Sequence, residues 1–483
     1  MVFNSLEFLI FYPAVLLMYF ILPHRFRWIL LLAASYYFYL SWNVSLVFLI
    51  VFTTAVSYLA AIFIEKSQKR SVRRLCLILT LITSLGVLFF YKYFDFLAGS
   101  VISLANCLGA GLDSFSLDLI LPVGISFYTF QTLSYVIDVY RGTLPAERHF
   151  GYYALYVSFF PQLVAGPIER PENLIPQLRA DHSPRRDDTL EGLRLMLTGF
   201  FKKIAVADLC ASFVVPVFSA PEKANSPAVI LAAVLFAFQI YGDFAGYTDI
   251  AIGCARVMGI KLMKNFDRPY CAESIKEFWA RWHISLSSWF RDYLYIPLGG
   301  NRCSKARHLF NLMVVFLVSG LWHGAAWTYV LWGALHGLYQ VVGILTRGVR
   351  EKIYARLHID RDSAAAHIWR RAVTFALVTF AWIFFRADSV ADLGILLSAL
   401  FSFGGGISSA CTLMDLTLPG AAACTAAITV MCLMDRQTDT RAVSFSLNAV
   451  NAIKYASVVW AIFFAWLILL DGDGASSFIY FQF

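Results

Sequence analysis

Apolar runs recur along this chain from Leu6 to Leu470, and they leave few folds open. A helix that crosses a bilayer needs about 20 mostly apolar residues, because hydrocarbon offers no partner to an exposed backbone N–H or C=O. The runs 6–22, 28–42, 45–64, 75–91, 119–139, 152–164, 193–218, 228–240, 309–318 continuing through 327–344, 372–385, 418–434 and 452–470 fit that demand. They amount to about eleven transmembrane helices, several of them short. Short spans mark broken or re-entrant helices, which survive where they line a cavity inside the protein. The first run has no basic residue before it and no small-residue cleavage site after it. It is read as a retained helix kinked at Pro13, not as a cleaved signal peptide.

Composition decides against a soluble alternative. The 483 residues are 59% hydrophobic and only 14% charged, whereas soluble chains carry about 25% charged residues. The polar surface is too small to coat several globules, so lipid is the solvent. The net charge of +8 gathers between the runs. The stretch 65–74, EKSQKRSVRR, holds five Lys/Arg and one Glu, and 347–371 holds seven Lys/Arg and three acids. Basic loops beside spans face the cytoplasm, so both are assigned there, in a multi-pass membrane protein. No basic stripe interleaved with exposed aromatics is present, which excludes nucleic acid as a partner. The nine cysteines are scattered without CxxC spacing, so they read as free thiols in apolar surroundings.

The chain is read as one membrane domain, 1–483. Residues 1–115 serve as scaffold helices, 119–345 carry the buried polar chemistry, and 346–483 return to plain helices. FSFGGGISSA (401–410) reads as a flexible loop. SPRRDDTLEGLRLMLTGFFKK (183–203) reads as a capped helix ending in Lys202 and Lys203, whose stems suit an interface.

Three polar islands lie in the middle region. FFPQLVAGPIERPENL (159–174) must break its helix between the two prolines. Its residues fit a substrate-tunnel wall and a tight interfacial loop equally well. QIYGDFAGYTDIAIGCARVMGI (239–260) sets Asp243 and Asp249 among apolar residues, with Arg256 on nearly the same helical face as Asp249. An acid at mid-membrane costs about 2.5–3.5 kcal/mol and usually faces a partner or water, so a structural ion pair is the favoured reading. NFDRPYCAESIKEFWARWHISLSSWFRDYLYIPLGGNR (265–302) is amphipathic from Ser274 to Tyr295. As one helix it puts Arg281, Ser285, Ser288 and Asp292 on one stripe and Trp279, His283, Phe290 and Leu294 on the other. His283 then points into the apolar face, where a hydrogen-bonded core histidine is the commoner outcome.

SGLWHGAAW (319–327) sets His323 inside an apolar run. On a helix its neighbours Ser319, Gly320 and Ala326 are small, and Gly320 with Gly324 makes a small-xxx-small pair that lets another helix approach. Packing with one satisfied histidine is one reading. The other is an imidazole facing space that a substrate enters, since an imidazole takes a proton near neutral pH and ionisable groups within membranes are costly. His336, in WGALHGLYQ, would point well away from His323 on one continuous helix and reads as packing; both would share a cavity only if the helix breaks between them. There is no HExxH, P-loop or GxSxG pattern, and His308, His323 and His336 lack carboxylate or thiolate neighbours at zinc-ligand spacing. No metal is expected.

These residues carry a resemblance. LPVGISFYTFQTLSYVIDVYRG, FFPQLVAGPIERP, QIYGDFAGYTDIAIG, FWARWHISLSSWFRDYLYIPLGGNR, VSGLWHGAAWTYVLWGALHG, TFAWIFFRADS and the terminal FIYFQF are similar to the membrane-bound O-acyltransferase family, most of all its bacterial alginate O-acetylase branch. The likeness runs collinearly over nearly the whole chain. It implies an all-α polytopic protein whose tilted, re-entrant and interfacial helices ring a central tunnel. It maps the family's essential histidine onto His323 and a second histidine of the branch onto His283. It further implies an acyl thioester donor such as acetyl-CoA with no bound cofactor, and a cell-surface polysaccharide acceptor. Expected partners are a periplasmic acyltransferase and the polymer-export machinery. In this picture His323 is the general base, and His283 or nearby backbone stabilises the oxyanion or orients the donor. Direct transfer is favoured over an acyl-enzyme, since no Ser or Cys pairs with His323. Acyltransfer to teichoic acid, peptidoglycan or protein is the rival within the class. A transporter or channel is the rival outside it.

Overall fold

Every regular element among the described residues is helical. The computed structural model describes residues 1–42, 46–163, 166–358 and 360–437. The run 452–470 and the terminal FIYFQF lie outside the described residues. Among the described residues six helices are long and apolar enough to cross a bilayer: Val47–Lys66, Arg70–Cys107, Ser226–Val257, Trp327–Leu345, Ala364–Arg386 and Leu418–Arg436. The shorter Leu6–Ile21 helix is apolar too and runs unbroken through Pro13. It buries Phe8, Tyr12, Val15 and Tyr19 while Leu6, Leu9, Ile10, Leu17 and Ile21 stay exposed. An exposed face this apolar suits contact with lipid or with another apolar surface.

One expected run shifts. Residues 119–122 lie outside any helix, and the helix instead spans Ile125–Arg141. Gly124 starts it at φ +74°, a conformation open to glycine and costly for a residue with a Cβ.

The chain divides into two compact units, residues 1–196 with 247–263, and 197–246 with 264–483. In the first, aromatic packing joins distant segments: the Phe3 and Tyr247 rings stack at 4.5 Å, and the Tyr12 hydroxyl donates to the Cys254 carbonyl at 3.0 Å. Gly192 and Gly253 meet so closely that a Cβ on either would stand within 2.7 Å of the other's carbonyl oxygen. Arg256 pairs with Asp188 at 2.9 Å, a carboxylate from outside the 239–260 island. The 159–174 island does break. One helix ends at Ser158, a single turn covers Phe160–Leu163, and the next helix starts at Pro171. Glu169 is fully buried there. It accepts from Asn173 at 2.7 Å and from the Met263 backbone N–H.

In the second unit, Lys202 and Lys203 do not reach an interface. They lie in a π-helical stretch, Phe201–Asp208, and both are buried. Lys203 Nζ binds Asp208 at 2.8 Å and Asp243 at 2.7 Å; Lys202 Nζ binds Asp435 at 2.7 Å. Buried lysine is tolerable only when paired in this way. The contact is close because Gly242 and Gly246 present no side chain: a Cβ would come within 2.9 Å of the Lys202 carbonyl and 2.7 Å of the Gly199 carbonyl. The sequence carried that signal as the G-x-x-x-G of YGDFAG. Cys210 and Cys424 are buried with sulfurs 3.9 Å apart, whereas Cys432 is exposed. The expected loop at 401–410 is confined to its first part, since a helix covers Ile407–Leu413.

Candidate active site

His323 is the last residue of the Lys305–His323 helix, and the next helix begins at Trp327. The helix therefore breaks between His323 and His336, and Ala326 is no longer a helical neighbour of His323. The two helices form a hairpin whose close approach rests on glycine: a Cβ at Gly320 would stand 2.3 Å from the Tyr329 carbonyl oxygen, and one at Gly333 2.3 Å from that of Phe316. Gly324 lies against the Tyr329 ring. The small residues expected to admit a helix do so, and the helix admitted is the one that follows. His323 is 2% exposed. Its ring meets Trp332 edge-on at 5.1 Å and Phe385 at 5.5 Å. Phe385 comes from the TFAWIFFRADS motif, which the fold brings to the histidine.

His283 does not sit on a continuous amphipathic helix. Helix Ile275–Arg281 stops, His283 adopts φ +44°, and a new helix runs Ile284–Phe290. A left-handed backbone at a residue with a Cβ needs compensating contacts. The segment at Asn265 supplies them. Its carbonyl accepts from Ile284 N–H at 2.9 Å, and Asp267 N–H donates to the Arg281 carbonyl at 2.9 Å. The Asn265 side chain completes the clasp: one atom lies 3.2 Å from Ser285 N, 2.9 Å from Ser285 Oγ and 3.1 Å from His283 Nδ1. A backbone N–H only donates, so that atom is the amide oxygen. The proton of His283 then sits on Nδ1, and Nε2 offers a lone pair. Burial pushes the imidazole down to about 3, which keeps it neutral across physiological pH. Asn265 was missed in the sequence; the one signal was an amide at the head of the polar island.

The break turns His283 out of the apolar stripe and beside His323, with ring centroids 6.5 Å apart. Trp322 and Phe244 close around His283 at 5.8 and 4.7 Å. A neutral imidazole with its lone pair at Nε2 can accept a hydrogen bond there. His336 lies two aromatic contacts from the same centre, with Trp332 between it and His323 at 5.0 and 5.1 Å. Trp279 Nε1–H donates to His336 Nδ1 at 3.2 Å.

At the edge of this unit Glu273 gathers Arg370 at 2.7 Å, His367 at 2.7 Å and Arg371 at 3.1 Å. Its desolvation opposes ionisation, but the Arg370 guanidinium and the hydrogen bond with His367 outweigh that and hold its carboxyl down at about 2.

Comparison with known proteins agrees with the geometry. The family model "MBOAT, membrane-bound O-acyltransferase family" matches residues 145–387, which contain His283, His323 and Phe385. The chain is 35% identical to a probable alginate O-acetylase of Pseudomonas putida over the full length of both. It is 39% identical to one from Pseudomonas syringae over 84% of this chain and 76% of that one. A peptidoglycan O-acetyltransferase of Helicobacter pylori is 36% identical over 78% of this chain and 74% of its own length. This polytopic, all-helical chain with paired buried histidines at a helix hairpin belongs to the membrane-bound O-acyltransferase family and is an O-acyltransferase.

Proposed function

We propose that this protein moves an acetyl group from a cytoplasmic acyl thioester, acetyl-CoA, to hydroxyls of a cell-surface polysaccharide, from the inner membrane of a bacterium. The observation that carries the reading is the His283–His323 pair, two buried imidazoles 6.5 Å apart, with His323 at the turn of a glycine-packed hairpin. His323 takes the proton of the acceptor hydroxyl as that oxygen attacks the thioester carbonyl. Such a base is worth typically about 10²–10⁴ in rate. The positive charge the ring then gains forms at the C-terminal pole of a helix, where positive charge is favoured. His283, neutral and accepting at Nε2, orients the incoming hydroxyl. Transfer is direct, without an acyl-enzyme. The basic stretches 65–74 and 347–371 face the cytoplasm. A periplasmic acyltransferase partner and the export machinery complete the modification of the polymer. The polysaccharide assignment draws on the alginate relatives, and the peptidoglycan relative supplies the rival acceptor.

The test measures ester-linked acyl groups on surface polymers in wild type, a deletion strain and His323→Ala present at normal membrane level. Loss of the ester in both mutants, with polymer still made, supports the reading, and the polymer that loses ester names the acceptor. Retention of the ester in His323→Ala would make that histidine a packing residue.

A further inference from the structure

We propose that His336 is a third working imidazole of this centre: its Nε2–H donates to the carbonyl oxygen of the bound acyl thioester, with Trp332 Nε1–H as a second donor. The inference rests on the acyl transfer proposed above and assigns the group that meets the oxyanion.

The argument starts from the proton on His336. An indole nitrogen is a donor only, so the 3.2 Å contact from Trp279 Nε1 requires a lone pair on His336 Nδ1. A neutral imidazole with a lone pair at Nδ1 carries its hydrogen at Nε2. The residue is fully buried, and Nε2 has no hydrogen-bond partner among the described residues. Trp332, one helical turn earlier on the same helix face, is equally buried, and its Nε1 is likewise without a partner among them. An unmatched buried donor costs about 1–3 kcal/mol, and native proteins keep such groups where a catalytic role or bound molecule uses them. Here two donors occupy successive turns, Trp332 against the base and His336 one ring farther, with the Trp332 ring touching both His323 and His336. Phe278 and Phe316 lie against His336 at 6.3 and 6.2 Å. In such apolar surroundings a hydrogen bond to a developing negative charge is stronger than in water.

The polarities are complementary. Asn265 makes His283 an acceptor, and Trp279 makes His336 a donor. The reaction needs one of each beside the base. The acceptor oxygen bonds to the thioester carbonyl carbon while its proton passes to His323. The C=O π pair moves onto oxygen, where the His336 and Trp332 donors hold it. The pair returns as the C–S bond breaks, and the thiolate leaves with the proton from His323. Ester and free thiol are the products.

The experiment uses membranes carrying the full chain, supplied with radiolabelled acetyl-CoA, and follows label entering polymer-linked ester at varied donor concentration. His336→Phe is expected to lower kcat about a hundredfold with donor KM little changed, the scale of losing one oxyanion donor. His336→Gln keeps an N–H near the Nε2 position and is expected to recover most of that loss. Wild-type kcat in His336→Phe, or equal impairment in the Gln and Phe variants, overturns the proposal. If His336→Phe does not accumulate, Trp332→Phe and Trp279→Phe decide: both are expected to lower kcat, and unchanged kcat in both overturns it. Transfer lost in His323→Ala but intact in His336→Phe defeats this inference alone. No transfer by wild-type membranes defeats the proposed function and this inference with it.

Discussion

Asn265 places its side-chain oxygen 3.1 Å from Nδ1 of His283, and that contact decides which ring nitrogen carries the proton. The same oxygen takes both the N–H and the hydroxyl of Ser285. One amide therefore holds the tautomer, the ring direction and the first turn of the following helix.

Replacing it tests the arrangement. Asn265→Leu strands three buried donors, each costing about 1–3 kcal/mol. Acyl transfer is expected to fall at least tenfold, with a lower unfolding midpoint in detergent. Ser285→Ala removes a single hydroxyl donor and is expected to be much milder. Equal transfer by Asn265→Leu and wild type would remove Asn265 from the site.

The glycine hairpin gives a steric prediction. A methyl at Gly320 would overlap the Tyr329 carbonyl at 2.3 Å, whereas one at Gly343 would meet nothing within 4 Å. Gly320→Ala is expected to cut acyl transfer strongly although His323 is retained. Gly343→Ala is expected to behave as wild type in transfer and membrane abundance.

Lys203 anchors a buried network, and its removal takes away an ammonium 2.8 Å from Asp208 and 2.7 Å from Asp243. Breaking a buried pair on one side costs about 3–5 kcal/mol. Lys203→Met is expected to lower the unfolding midpoint and the amount in the membrane. Thermal unfolding in detergent that matches wild type would show the pairing to be energetically idle.

Glu169 predicts a pH dependence of stability. Burial raises its carboxyl from 4.5 to about 7 against the opposing pull of Met263 N–H and Asn173. The folded state then binds more protons than the unfolded state between those two values. Its contribution is complete below the lower value and declines as pH rises to about 7. Glu169→Gln is expected to flatten that decline. Unfolding midpoints measured across pH 4.5 to 7 that fall equally in both proteins would assign the slope to other groups.

What the sequence determined by itself was the solvent and the family. Apolar runs of bilayer length with few charges admit only helices in lipid, since backbone polar groups there must pair within the segment. The strings around His283 and His323 carried the family likeness, and Gly320 with Gly324 signalled close packing. Periodicity failed where the chain leaves its local repeat. It read Ser274 to Tyr295 as one helix and turned His283 into the apolar face. The left-handed backbone at His283 is held by Asn265, and that bond is invisible to any local pattern. Lys202 and Lys203 looked interfacial because stem and charge are local properties. Their burial depends on Asp243 and Asp435, which only the packed helices bring near. The tautomers of His283 and His336 were decided in the same way. A ring's proton goes where its neighbour is not already donating, and Asn265 and Trp279 become neighbours only in the tertiary structure.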